Sequence, residues 1–302
     1  MDVQTFRVPL EPASGAIPLP VALRAVQGIH DLLQYAARTA ESGPRLLFTD
    51  RRGRDVDAFL RQVGFATAGN DPAEHRGAEI SGAETGAAGF GVFLSRVPVA
   101  PPGPEPLFGE ALTGRRVVTV LHAALRAARE AAERVLAHRD RLGVFDDYVE
   151  QGVSANLCAA LADVGGGLRL HRPFEVSFHW ADSAPAGPPD ETVAFTSPVV
   201  RVIARAGREL QALAHSGPAT ITGTVESLWR KGLPPRVKIQ GELRTSSGTY
   251  ERAVWVAVGE ADYRRAFLAQ IERRALRVDG RLVPGQRRLE LRPDGGLEVL
   301  PR

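Results

Sequence analysis

Between residues 217 and 302 the chain alternates apolar and polar positions with a period of two, changes once to a helical period, and then returns to two. Ile221, Gly223 and Val225 interleave with Thr220, Thr222 and Thr224, the pattern of a half-buried strand over 219–231. Gly223 in its middle predicts a bulge or bend. After the turn-forming Gly-Leu-Pro-Pro at 232–235, a second strand sets Val237, Ile239, Gly241 and Leu243 against Arg236, Lys238, Gln240, Glu242 and Arg244. A third, over 250–258, splits into Val254, Val256 and Val258 on one face and Ala253, Trp255 and Ala257 on the other. Trp255, set among apolar neighbours, reads as a core ring, with a further flat surface for a ligand as the alternative. Over 260–274 Tyr263, Phe267 and Ile271 recur every fourth residue, which predicts a helix that turns this side inward. Two-fold alternation resumes at 276–282, and short apolar pairs at Leu289, Leu291 and Leu297, Val299 complete the segment.

Upstream the pattern predicts a mixture of helices and strands. Helices are expected over 19–40, with Leu23, Val26, Ile29, Leu32, Leu33 and Ala36 inward, and over 117–136, with Val118, Leu121, Leu125, Ala128, Ala132, Val135 and Leu136 inward. Others are expected over 56–63, over 154–164 with Ser154 as N-cap, and from Ser197-Pro198 to about 214. Strands are expected at 45–48, 91–99, 174–180 and 192–195. The stretch 69–89 reads as a Gly- and Ala-rich loop, and four prolines within 99–106 read as a connector. The class is α+β: a mixed N-terminal region in two parts, 1–106 and 107–216, followed by a separate domain at 217–302.

Three strands, one helix and two further strands, in that order, resemble the oligonucleotide/oligosaccharide-binding fold. The resemblance covers the last quarter of the chain and rests on element order rather than on a diagnostic motif. It implies a five-stranded barrel with its helix between strands three and four, closing one end, and a ligand held on the first two strands or their connection. A Tudor-like or SH3-like barrel would account for the strands and leave the helix unexplained.

Charge gives this segment a candidate ligand. Residues 217–302 hold 16 Lys and Arg against 10 Asp and Glu, a net of +6, whereas the other 216 residues hold 22 against 25, a net of −3. Phosphate neutralisation supplies most sequence-independent affinity for nucleic acid, so a basic barrel suits a polyanion. The two lysines of the chain, Lys231 and Lys238, both fall in the first two strands or their connection. Trp229, Arg230 and Lys231 place a ring beside two cations, and a base stacked on such a ring gains ~1–3 kcal/mol whatever its identity. Trp229, Arg230, Lys231, Arg236, Lys238, Arg244 and Tyr250 are therefore the expected single-strand-binding residues. Abundant Arg, Ala, Gly and Pro also carry the imprint of a GC-rich genome, which raises Arg on any solvated surface.

Signals for chemistry are sparse. The seven histidines stand singly and Cys158 is the single cysteine, so neither a zinc site nor an internal disulfide is expected, and no cofactor is called for. Cys158 reads as a small buried hydrophobe. His138-Arg139-Asp140 lacks the partners of a kinase catalytic loop, and Gly86, Gly89 and Gly91 lack the ending of a phosphate loop. Asp146, Asp147 and Glu150 read as a solvated acidic helix start, with a hard-cation site as the alternative. No apolar run is long enough to span a bilayer and no leader pattern opens the chain, so the expected setting is the bacterial cytoplasm, without a membrane partner. The expected function is a non-catalytic accessory protein that binds single-stranded nucleic acid, its N-terminal region docking on a protein partner or on itself. The alternatives are an interaction subunit of a multiprotein assembly and an enzyme whose site is dispersed over 1–216, at positions such as Asp50, Asp55, His171 and His179.

Overall fold

The computed structural model describes residues 1–11, 15–68, 90–100, 111–138, 141–167, 169–182, 188–215, 217–230, 234–283 and 287–301. The loop expected at 69–89, prolines 101, 102, 104 and 106 of the connector, Arg139 and Asp140 lie outside the described residues.

The N-terminal region is built on an antiparallel sheet in the order β2-β3-β1-β4-β5. Its strands are β1 (Asp2–Pro9), β2 (Gly64–Ala68), β3 (Phe90–Val97), β4 (Phe174–His179) and β5 (Glu191–Phe195). Residues 1–106 supply β1 to β3 and residues 107–216 supply β4 and β5, so both stretches share one sheet. On one face Phe6, Phe93, Phe174, Val176, Phe178, Val193 and Phe195 are buried. Helix α3 (Gly114–His138) lies against this sheet, and α1 (Leu19–Ser42) and α5 (Ser197–His215) pack on α3. Helix α2 (Arg54–Gln62) packs on α1, and α4 (Ala155–Val164) lies between α1 and α5. Gly28 lets α1 approach α4 closely, because a Cβ there would stand 2.7 Å from the Ala160 carbonyl oxygen. Ser154 caps α4 as expected, its Oγ accepting the Leu157 N–H at 3.1 Å.

Several N-terminal expectations are corrected. Residues 45–48 form no strand. Leu46, Leu47 and Phe48 are buried, but the start of α4 takes their backbone groups: Phe48 N–H donates to Asn156 Oδ1 at 2.8 Å and Leu46 O accepts from Ala155 N–H at 2.8 Å. Leu23 and Leu136, expected inward, are exposed, with Val21 and Ala25 buried on α1 instead. Strands β1 and β2 were not anticipated. In β1 the buried face carries Asp2 and Gln4 beside Phe6 and Val8, which breaks the apolar alternation; Asp2 holds Arg115 through two 2.8 Å bonds and Gln4 accepts from Ser95 at 2.7 Å.

The C-terminal region is a closed five-stranded mixed barrel. Strands β6 (Pro218–Trp229), β7 (Arg236–Thr245), β8 (Gly248–Ala257), β9 (Leu276–Val283) and β10 (Glu290–Pro293) join in the order β6-β7-β8-β10-β9 and back to β6, the β8–β10 pair being parallel. A short β11 (Glu298–Val299) extends the β9 edge, and α6 (Glu260–Ile271) connects β8 to β9, an element order compatible with an oligonucleotide/oligosaccharide-binding-like fold. Ile221, Val237, Ile239, Leu243, Val254, Val256, Leu276 and Val278 fill the interior. Gly223 faces Gly241 across the β6–β7 ladder, where an added methyl would run into the Gln240 carbonyl. The expected bulge is three residues further on, between Val225 and Ser227. Gly223 thus serves close strand approach.

Helix α6 closes against the barrel with a different face from the one expected. Ala266 and Ala269 are buried and Tyr263 is half-buried, while Phe267, Leu268 and Ile271 point outward. Small side chains let the helix backbone sit close to the strands, and the larger apolar residues are turned to solvent.

The two regions share a continuous core. At their junction Arg252, in β8, is wholly buried and donates to Asp146 Oδ1 at 3.0 Å and to Glu209 Oε1 at 2.5 Å. Asp146 belongs to a 3₁₀ segment, Leu142–Gln151, and Glu209 to α5. No described helix is long and apolar enough to cross a membrane.

Candidate nucleic-acid interface

Because side chains alternate along a strand, the outward face of β7 carries Arg236, Lys238, Gln240, Glu242 and Arg244, and that of β8 carries Glu251, Ala253, Trp255 and Ala257. Register sets Lys238 opposite Trp255 and Gln240 opposite Ala253. The 3₁₀ segment stands over this face and leaves a cleft of about 200 Å³ between them, walled by Trp255, Lys238 and Arg288 on the barrel side and by Arg141 and Asp147 on the other. Arg288, at the end of the β9–β10 connection, holds its guanidinium 5.1 Å from the centre of the Trp255 ring, a cation–π arrangement. Among the described residues no carboxylate pairs with Arg288.

The seven expected binding residues do not form one group. Trp229 ends β6 and is half-exposed, Arg230 follows it, and Arg236 faces Trp229 in register with Lys238 two residues beyond, so these four lie toward one end of the barrel. Arg244 and Tyr250 flank the turn at the opposite end of the β7–β8 hairpin; Arg244 is six residues from Lys238, roughly 20 Å along an extended strand. The Tyr250 hydroxyl lies 3.0 Å from Ser247 Oγ within that turn. Lys231 lies outside the described residues.

Each described cation of the expected set has a carboxylate beside it. Arg230 meets Glu260 at 3.1 Å and lies over the Tyr263 ring, Arg236 meets Glu290 at 2.7 Å, Lys238 meets Glu226 at 2.9 Å and Arg244 meets Glu242 at 2.6 Å. The four pairs carry no net charge, so the face is no bare row of cations. The exposed pairs Arg230–Glu260 and Arg244–Glu242 contribute only about 0–1 kcal/mol each, so a phosphate can replace the carboxylate there at small cost.

Beneath the cleft burial dominates. The Asp146 carboxyl is pushed up to about 6 by desolvation, which outweighs the opposing pull of Arg252; Asp147 and Glu209 raise it further. Burial likewise pushes the Cys158 thiol up to about 12, and the residue is a buried hydrophobe in α4 as expected. Among the described residues no three His, Cys, Asp or Glu side chains cluster to hold a metal ion. Of the positions considered for a dispersed active site, Asp50 pairs with Arg38 at 2.7 Å, Asp55 sits in the first turn of α2, His171 lies between α4 and β4, and His179 bonds Asp190 at 2.9 Å. They are held by different parts of the fold.

Arg288, Arg252 and Asp146 were missed by sequence reasoning, which puts Trp255 in the core before any ligand role. A signal existed for Trp255, since alternation puts it opposite Val254 and Val256, on the wet face. Arg252 shares the parity of the interior valines, and a cation in that position signals a buried partner. Nothing local marks Arg288 or Asp146, whose neighbours come from distant parts of the chain.

Searches of family models, curated proteins and solved structures found nothing that matches this chain.

Proposed function

We propose that the C-terminal barrel belongs to the oligonucleotide/oligosaccharide-binding superfamily and that the protein is a non-catalytic accessory subunit whose β7–β8 face binds single-stranded nucleic acid. The observation that carries this reading is the Trp255 ring, capped by Arg288 and faced by Lys238, in a cleft on the strands where such barrels commonly hold ligand. A base stacks on Trp255 in place of the guanidinium, and Arg288 and Lys238 turn to the flanking phosphates. At about 200 Å³ the cleft is smaller than the roughly 300–1,000 Å³ usual for small-molecule pockets, which favours one flat group of a longer polymer over an enclosed metabolite. Trp229, Arg230 and Arg236 extend the track toward the barrel end, and Arg244 with Tyr250 contacts only a strand long enough to reach the hairpin turn.

Fluorescence anisotropy with labelled single-stranded DNA and RNA over a salt series tests this. The two phosphate contacts of Arg288 and Lys238 give a log–log salt slope of about −1.4, and Lys238→Ala lowers its magnitude by about 0.7. Trp255→Ala weakens binding by about 5- to 150-fold at every salt concentration. Absence of binding at low salt, or binding unchanged by both substitutions, would refute the proposal.

A further inference from the structure

Helix α6 exposes its large apolar residues. Phe267, Leu268 and Ile271 are 50%, 56% and 65% exposed, whereas Ala266 and Ala269 are 0% and 1%. With Arg264 they occupy positions i, i+3, i+4 and i+7, a stripe roughly 10 Å long on one side of the helix. Single exposed apolar side chains are ordinary, but three large ones in contact range on a helix face form a patch. Cations bracket it. Arg264 lies within the stripe and Arg273 just beyond it, and neither has a carboxylate partner among the described residues. The neighbouring cations are matched: Arg265 with Asp262, Arg274 with Glu272 and Arg230 with Glu260.

We infer that this stripe is the anchor by which the protein docks on a second, different protein, one that presents an apolar groove rimmed by Asp and Glu. The spacing is that of a helix laid into a groove, with Phe267, Leu268 and Ile271 as anchors and Arg264 and Arg273 meeting the acidic rim. A phosphate backbone leaves the three apolar side chains unmatched, so nucleic acid is a poor occupant. A second copy of the chain is disfavoured because a two-fold contact of α6 with itself would set Arg264 and Arg273 against the same cations of the other copy. The inference is independent of the nucleic-acid reading, since none of its residues lies in the cleft.

The test is photo-crosslinking of the full-length protein in cells of its source, with Leu268→benzoylphenylalanine as probe and the same photoreactive residue at Thr249 as control. The expected result is one protein captured through position 268 alone, the crosslinked segment lying in an apolar groove flanked by carboxylates. With that protein purified, Arg264→Glu/Arg273→Glu and, separately, Phe267→Ala/Ile271→Ala each weaken binding about ten-fold or more, without change in melting temperature. The inference is overturned by capture of another copy of this chain, by capture no stronger than at Thr249, or by affinity indifferent to charge reversal. Stripe-dependent flotation with phosphatidylglycerol/phosphatidylcholine vesicles, without protein capture, would also overturn it.

Discussion

Arg252 is the residue on which the junction of the two regions depends. Its guanidinium has no exposure and is neutralised by carboxylates from two N-terminal elements, so removing it leaves Asp146 and Glu209, both partly buried, without their cation. Arg252→Met should cost about 3–5 kcal/mol, measured as a lowered midpoint in urea unfolding. Asp146 makes stability depend on pH with a defined sign. Its carboxyl protonates at about 6 in the folded chain and near 3.8 when unfolded, so between these values the folded state binds more protons. Stability from this group is complete below about 3.8 and is lost as pH rises through 6, a change of roughly 3 kcal/mol. Unfolding at pH 7 and at pH 4.5 should show this acid-side gain in the wild type, and Asp146→Asn should lack it. Nothing local marks the role of Asp146, which stands in an acidic run that looks solvated and whose partner is 106 residues away.

Among the elements, those whose burial follows from their own period were legible. Strand β7 put Val237, Ile239 and Leu243 inside and its charged residues outside, as its alternation required. Helix α6 was legible in extent but not in orientation, because periodicity favours the large apolar residues as the inner face while close packing on the barrel selects the alanines. The difference is measurable in stability. Phe267→Ser and Ile271→Ser should change the unfolding free energy by no more than about 0.5 kcal/mol, whereas Ala269→Leu should overpack the helix–barrel contact and cost about 1–3 kcal/mol. Gly223→Ala should be similarly costly, at about 1–3 kcal/mol by thermal or urea unfolding, since the methyl meets the backbone of β7, which cannot move without opening the ladder. Strand β1 escaped notice because its buried face mixes Asp2 and Gln4 with Phe6 and Val8, each polar group satisfied by a partner distant in sequence.

For the molecule as a whole, the N-terminal region does more than adjoin the barrel. Its 3₁₀ segment forms one wall of the cleft on the β7–β8 face, so the candidate site exists only in the docked arrangement that Arg252 fastens. The barrel itself was foreseeable from element order, but this wall was not, because it depends on contacts between residues far apart in the chain. The central claim is that a base stacks on Trp255 within that cleft. Mapping the protein residue that crosslinks to a single-stranded oligonucleotide carrying 5-iodouracil tests it most directly. The account predicts the principal adduct on Trp255, lost in Trp255→Leu and suppressed by high salt; an adduct confined to the N-terminal sheet or to α6, or no adduct at low salt, would contradict it.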